Sequence, residues 1–264
     1  MQSSENISKT YNGPIIVIVG PTASGKTGAA ISLAKKINGE VISADSRAIY
    51  KYMDIGTAKP SLEEQDGVPH FGIDLVEPGE RFTAFDFKKY AEEKIAEICS
   101  RGHVPIIAGG TGLYVDAIVF DYQFDGLSKD EKHGTPEGNE TAHEYKDRAQ
   151  MDKRFLVFGI LWESEELRER ISKRMRGMYS PELYAETKFL VNKFGWDSQA
   201  MKSNVYQFVW KYLNNEINLD EAISESIRDD IYLAKRQMTW FKRNKEIKWC
   251  RLDEIEQKIL SELS

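Results

Sequence analysis

Eight residues near the start of the chain, Gly20, Pro21, Thr22, Ala23, Ser24, Gly25, Lys26 and Thr27, have the types and spacing of a phosphate cradle. Two glycines frame four residues and are followed by Lys-Thr, the pattern G-x-x-x-x-G-K-[ST], in which successive backbone N–H groups turn toward an anion. A helix after the loop adds the positive end of its dipole. Lys26 is placed to reach a terminal phosphate and the Thr27 hydroxyl to hold Mg2+. The pattern leaves the cargo open, since it suits a nucleotide for phosphoryl transfer or a diphosphate that departs. Further along, Asp45-Ser46-Arg47 offers a carboxylate on the same rim as that loop, although Asp45 also suits a turn or a helix cap.

The elements that must position these residues follow from the apolar pattern. Ile15 to Val19 is a continuous apolar run and reads as a strand buried on both faces. Thr27 to Asn38 carries Ala30, Leu33, Ala34 and Ile37 on one helical face and is expected to stop at Gly39. Val41 to Ala44 is a short strand that delivers Asp45 to the rim where open parallel sheets bind ligands. Residues 54–80 hold seven glycines and prolines and read as a long loop beside that rim. Thr83 and Asp86 form a capping-box pattern ahead of a helix with Phe87, Ala91, Ile95 and Ile98 on one face. Val104 to Ala108 is the next strand, and it empties into Gly109-Gly110-Thr111-Gly112, glycines expected to let the backbone pass close to a ligand. Nucleotide hydrolases usually end such a strand with an acid for Mg2+, and glycine stands there instead.

No apolar period persists from Asp121 to Arg154. Phe155 to Leu161 is a further buried strand, and Ser164 is expected to cap a helix whose arginines line a solvated face. The chain from Pro181 to Ser264 reads as helical throughout. Strands alternating with helices predict an α/β fold, a P-loop-type doubly wound parallel sheet with a helical C-terminal part and a short insertion. The expected divisions are a core over 14–120, an insertion over 121–154, and a last core strand with the helical part over 155–264.

Composition narrows the class. With 264 residues, 41% hydrophobic and 30% charged, the chain can bury a sizeable core. No run reaches the roughly 20 apolar residues of a membrane span, and the polar N-terminus lacks a signal peptide's apolar core. A cytoplasmic protein without membrane attachment is therefore expected, and it is taken to act as a monomer. Cys99 and Cys250 are isolated, and His70, His103, His133 and His143 are scattered, so neither a disulfide framework nor a zinc site is indicated. Residues 1–150 carry 16 basic against 23 acidic residues and residues 151–264 carry 20 against 19. Between 235 and 251 seven basic residues face one acid, Glu246, and Trp240, Phe241 and Trp249 interleave with them. The pattern suits a solvated helix face or a nucleic-acid contact.

Several stretches together resemble the tRNA dimethylallyltransferases, also called tRNA isopentenyltransferases. They are the phosphate loop, Asp45 to Tyr50, Met53-Asp54-Ile55-Gly56-Thr57-Ala58-Lys59-Pro60, Gly109 to Tyr114, and Ala234 to Phe241. The resemblance covers about 14–120 and 217–243. It implies transfer of a dimethylallyl group from dimethylallyl diphosphate to N6 of an adenine beside the tRNA anticodon, position 37, with Mg2+ and release of pyrophosphate. It implies diphosphate binding by Gly20 to Thr27, catalysis by Asp45 as general base with Lys26, Thr27 and Arg236, and metal binding by Thr27. It also implies contact of Asp45, Ser46, Arg47, Ala48 and Thr111 with the tRNA anticodon stem-loop. The chain departs from the family pattern at Ala48, where Gln is usual, and at Asp230-Ile231, where Thr-Arg is usual, so one expected cation is absent. The stretch between Tyr114 and Phe155 is far shorter than the family's helical insertion. A free adenine nucleotide as acceptor, or a P-loop kinase or nucleotide-binding protein, are the competing readings.

Overall fold

The computed structural model describes residues 10–124, 150–198, 200–201 and 205–263. Its centre is a six-stranded sheet with every pairing parallel, in the order β3-β2-β4-β1-β5-β6. The strands are β1 (Ile15–Val19), β2 (Gly39–Ser43), β3 (His70–Phe71), β4 (Val104–Gly109), β5 (Phe155–Leu161) and β6 (Lys248–Arg251). β1 lies between β4 and β5, with Val17 opposite both Ile107 and Val157. Ile15, Val17 and Val19 pack into one core and Ile16 and Ile18 into another, which is why this strand is apolar at every position.

Helices cover both faces. α1 (Lys26–Ile37) and, at the C-terminus, α9 (Ile255–Leu263) pack on the side of Ile16 and Ile18. α3 (Ala84–Ser100) and α4 (Gly112–Val119) cover the side of Val17. A third cluster lies in the helical part, where α5 (Ser164–Met178), α6 (Pro181–Phe194), α7 (Val205–Leu213) and α8 (Leu219–Phe241) gather around Met175, Leu183, Leu190 and Tyr206. Met53 joins that cluster from the segment after Asp45.

The chain leaves β1 toward β2 on one side and leaves β4 toward β5 on the other. A crevice therefore opens beyond the carboxyl ends of β1 and β4, the usual ligand position in such sheets.

Several sequence expectations are corrected. α1 ends at Ile37, and Asn38 after it, with φ 53°, takes the left-handed turn expected of Gly39. Gly39 instead opens β2, where an added Cβ would lie 3.2 Å from both Ala34 Cα and the Val104 carbonyl oxygen. Residues 54–80 are not all loop: α2 (Leu62–Gln65), with a Ser61/Glu64 capping box, and β3 interrupt them. Elements this short are hidden by their glycine and proline neighbours. Ser164 is the first helical residue of α5, and the cap is Glu163 without a side-chain bond. The Pro181–Ser264 segment is not wholly helical, because β6 returns to the sheet and pairs with β5, Cys250 opposite Ile160. Its dense positive charge masked an alternation that buries Cys250. The Thr83/Asp86 capping box forms as expected. Most of the segment over 121–154 lies outside the described residues.

Candidate active site

The loop after β1 is shaped by two left-handed residues, Ala23 at φ 60° and Gly25 at φ 89°. For a residue with a Cβ the first costs about 1–2 kcal/mol. The fold offsets that cost by holding the loop's carbonyls from outside. Arg170 Nε donates to the Ala23 carbonyl at 2.9 Å, Trp162 Nε1 to the Ser24 carbonyl at 2.9 Å, and Lys26 Nζ to the Pro21 carbonyl at 3.1 Å. The Arg170 guanidinium also stacks 4.3 Å from the centre of the Trp162 ring. Ser24 Oγ is buried without a partner among the described residues, a donor in need of an acceptor. These features fit an anion at the loop.

The loop forms one wall of a cleft of about 380 Å³. Lys26 and Thr27 face it from the start of α1, and Asp45, Ser46, Arg47 and Ala48 face it from the turn after β2. Asp45 Oδ1 accepts the Arg47 N–H at 2.9 Å, so the turn reading and the proximity to Lys26 both hold. Thr111 Oγ1 accepts the Ser46 N–H at 2.9 Å and donates to Ser46 Oγ at 3.1 Å, fixing that turn to the end of β4. Arg236 enters the cleft from α8 and is otherwise exposed. Thus Lys26, Thr27, Asp45, Ser46, Arg47, Ala48, Thr111 and Arg236, distant in sequence, meet in one space. Burial lowers the Lys26 pKa to about 8, against the opposing pull of Asp45.

Three site residues escaped the sequence reading. Arg174, expected on a solvated face, turns into the cleft and donates to Thr22 Oγ1 at 2.6 Å while pairing with buried Asp230. Burial raises the Asp230 pKa even though Arg174 pulls it down. Gln237 bridges the two loops that bound the crevice, accepting the Thr22 N–H at 2.7 Å and donating to the Gly110 carbonyl at 3.0 Å. Arg174 stood among five basic residues on α5, and only packing against α8 distinguishes it. Gln237 did lie in a motif, Ala234 to Phe241, which was the available signal.

The glycines after β4 are corrected in purpose. A Cβ on Gly110 would lie 2.4 Å from Gln237 Nε2, and one on Gly112 would lie 2.2 Å from Trp240 Cδ1. One on Gly109 would meet the Ala44 carbonyl oxygen at 2.1 Å. They admit α8 and the backbone after β2, with only Gly109 bordering the cleft. The aromatic residues among the basic ones are likewise packed inward. Phe241 is fully buried, Trp240 donates to buried Asp116 at 2.7 Å, and Trp249 lies over Gly159. Lys235, Arg236, Lys242 and Arg243 remain on the surface of α8 and the turn after it.

Among the described residues no group of three or more His, Cys, Asp or Glu side chains could hold a metal, and no helix is long and apolar enough to cross a membrane. His70 and His103 are outside the cleft, the latter paired with Glu40. His133 and His143 lie outside the described residues. The oxygens that line the cleft include the Thr27 hydroxyl and the carboxylates of Asp45 and Asp229, a donor type that suits Mg2+.

Two family models match the chain, isopentenyl transferase over residues 13–74 and IPP transferase over 48–153 and 131–244. A tRNA dimethylallyltransferase of Acetivibrio thermocellus is 37% identical, over 94% of this chain and 96% of its own length. One from Staphylococcus haemolyticus is 36% identical over 95% and 90%. Ninety-four per cent of 264 residues spread over 300 aligned positions leaves about fifty positions without a counterpart here. The crystal structure of a tRNA isopentenylpyrophosphate transferase from Bacillus halodurans superposes with a TM-score of 0.80 at 31% identity, covering 95% of this chain and 96% of the other. That of a tRNA delta(2)-isopentenylpyrophosphate transferase from Staphylococcus epidermidis gives 0.79 at 32% identity, over 94% and 98%. Agreement in sequence, in fold and across nearly the full length of both partners means that the chain belongs to the tRNA dimethylallyltransferase family.

Proposed function

We propose that this chain transfers a dimethylallyl group from dimethylallyl diphosphate to N6 of the adenine at position 37, beside the anticodon of a tRNA. The observation that carries the reading is the cleft itself, in which cations and a phosphate loop face the Asp45 carboxylate. The names of the relatives supply the tRNA acceptor.

In this reading the diphosphate lies against the loop Gly20 to Thr27, with Lys26 and Arg174 opposing its charge. Arg174 takes the place of the cation missing at Ile231, and Arg236 adds charge at the outer rim. The N6 lone pair of the flipped-out adenine forms a bond to C1 of the dimethylallyl group as the C1–O bond breaks. The electron pair of that bond leaves with pyrophosphate, stabilised by preorganised donors. Asp45 takes the proton that N6 loses. Mg2+, held by Thr27, would supply further charge neutralisation on the leaving group. Ser46, Arg47, Ala48 and Thr111 form the acceptor wall of the cleft. The small Ala48, 5% exposed, leaves room rather than a hydrogen bond beside the base.

The test incubates the protein, Mg2+ and labelled dimethylallyl diphosphate with a tRNA carrying an adenine 3′ of its anticodon. Label in the RNA that free AMP or ADP does not compete away is the expected result. Label in the nucleotide alone, or γ-phosphate turnover from ATP without prenyl transfer, overturns it.

A further inference from the structure

The acceptor wall of the cleft continues past Ala48 into Gly56, Thr57, Ala58, Lys59 and Pro60. This short loop has left its sheet and belongs to no helix, so side chains must hold it. One carboxylate gathers its first three amides. Glu186, on α6, accepts the N–H of Asp54 at 3.0 Å and of Ile55 at 2.9 Å through one oxygen, and that of Gly56 at 3.0 Å through the other. Its second oxygen also accepts the hydroxyl of fully buried Tyr206, on α7, at 2.7 Å. Three consecutive amides aimed at one point form an anion nest, and here the protein fills it with its own side chain.

Tyr206 packs so closely under the loop that a Cβ on Gly56 would lie 2.3 Å from its Cζ. Lys59 closes the other end, donating to the Tyr50 carbonyl at 2.8 Å and to Asp54 and Asp74 at 2.6 and 2.7 Å. Neither Glu186 nor Tyr206 borders the cleft, while the loop they hold does. The diphosphate wall takes nothing from this arrangement, because its supports are Arg170, Trp162, Arg174 and Gln237.

We infer that Glu186 and Tyr206 are positioning residues for the acceptor, fixing the 54–60 loop as the wall against which the RNA substrate is seated, while leaving donor binding untouched. The inference rests on the function proposed above. Removing a charge-assisted set of four hydrogen bonds loosens the loop, and a misplacement of about 1 Å costs about a hundredfold in a reaction needing alignment.

The experiment compares the parent with Glu186→Ala, Glu186→Gln and Tyr206→Phe in full-length protein. It measures the dissociation constant for a fluorescent tRNA anticodon stem-loop, the dissociation constant for dimethylallyl diphosphate, steady-state constants for both substrates, and amide exchange at residues 54–56. Expected in Glu186→Ala are exchange faster by tenfold or more at those amides, stem-loop affinity and acceptor kcat/KM down tenfold or more, and donor affinity within twofold of the parent. Tyr206→Phe and Glu186→Gln, which keep part of the set, should fall between. Unchanged stem-loop affinity with a loosened loop overturns the inference, as does an equal loss of donor and acceptor binding, the mark of a general packing defect. If Glu186→Ala does not fold, the graded loss in the two milder variants decides the matter on the same readouts. A parent that binds no stem-loop and transfers no label defeats the proposed function itself, a separate outcome.

Discussion

Lys26 shows how one burial environment sets a residue's chemistry. Its pKa of about 8 is below the ordinary lysine value of 10.5, because withdrawal from solvent disfavours the charged form. The affinity for inorganic pyrophosphate should fall as pH rises from 7 to 9.5, and titration calorimetry across that range checks it. The sign for stability is opposite. Between about pH 8 and 10.5 the unfolded chain binds the extra proton, so the cost of burying the charge, fully present below 8, is relieved as pH rises. Lys26→Met should abolish both trends. Asp45→Ala should slow the chemical step by about a hundredfold or more, with dimethylallyl diphosphate affinity nearly intact, in single-turnover assays. Loss of donor affinity instead would assign Asp45 to the metal. Arg174→Ala should weaken pyrophosphate strongly and leave Asp230 buried without its cation, so a stability loss of about 3–5 kcal/mol is expected by denaturant titration.

Among the elements, α8 organises most of the site. Within a few turns it supplies Asp230 to Arg174, Arg236 to the cleft, Gln237 to both loops and Trp240 to the space above Gly112. Gly112→Ala would force Trp240 from its bond to Asp116 and should lower stability by about 1–3 kcal/mol, visible in the thermal midpoint and in tryptophan fluorescence. At the start of β2, Glu40 is 3% exposed and bonded by Arg101 and His103. Burial alone would raise its pKa, but these bonds outweigh it and the net shift is downward. Its stabilisation is present above the unfolded carboxylate pKa and is lost as pH falls through the lower folded value. Glu40→Ala should cost about 1–3 kcal/mol at neutral pH and less in acid, by denaturant titration at each pH.

For the molecule as a whole, charge is distributed so that an acidic chain presents a basic strip. Lys235, Arg236, Lys242 and Arg243 are exposed along the end of α8 and the turn after it, in a protein of net charge −6. Lys242→Ala with Arg243→Ala should reduce stem-loop affinity and flatten its dependence on salt by up to about two counterions, measured by anisotropy between 50 and 200 mM salt. A slope equal to the parent's would return these side chains to an ordinary solvated surface.

The sequence by itself determined the elements whose signals are local. Ile15 to Val19 had to be a buried strand, the glycine spacing before Lys26-Thr27 had to make a tight loop into a helix, and Thr83 with Asp86 had to start a helix. Motif order along the chain also carried the family. Only the tertiary structure decided which of the five basic residues on α5 turns into the cleft, why three glycines stand at and after the end of β4, and that a charged segment near the C-terminus is a sheet edge. Each depends on a neighbour far along the chain: Asp230 for Arg174, Trp240 for Gly112, Ile160 for Cys250. Periodicity and spacing report how a residue relates to its own segment. They do not report which surface that segment will meet, and in this molecule the meeting of α5, α8 and the two crevice loops builds the site.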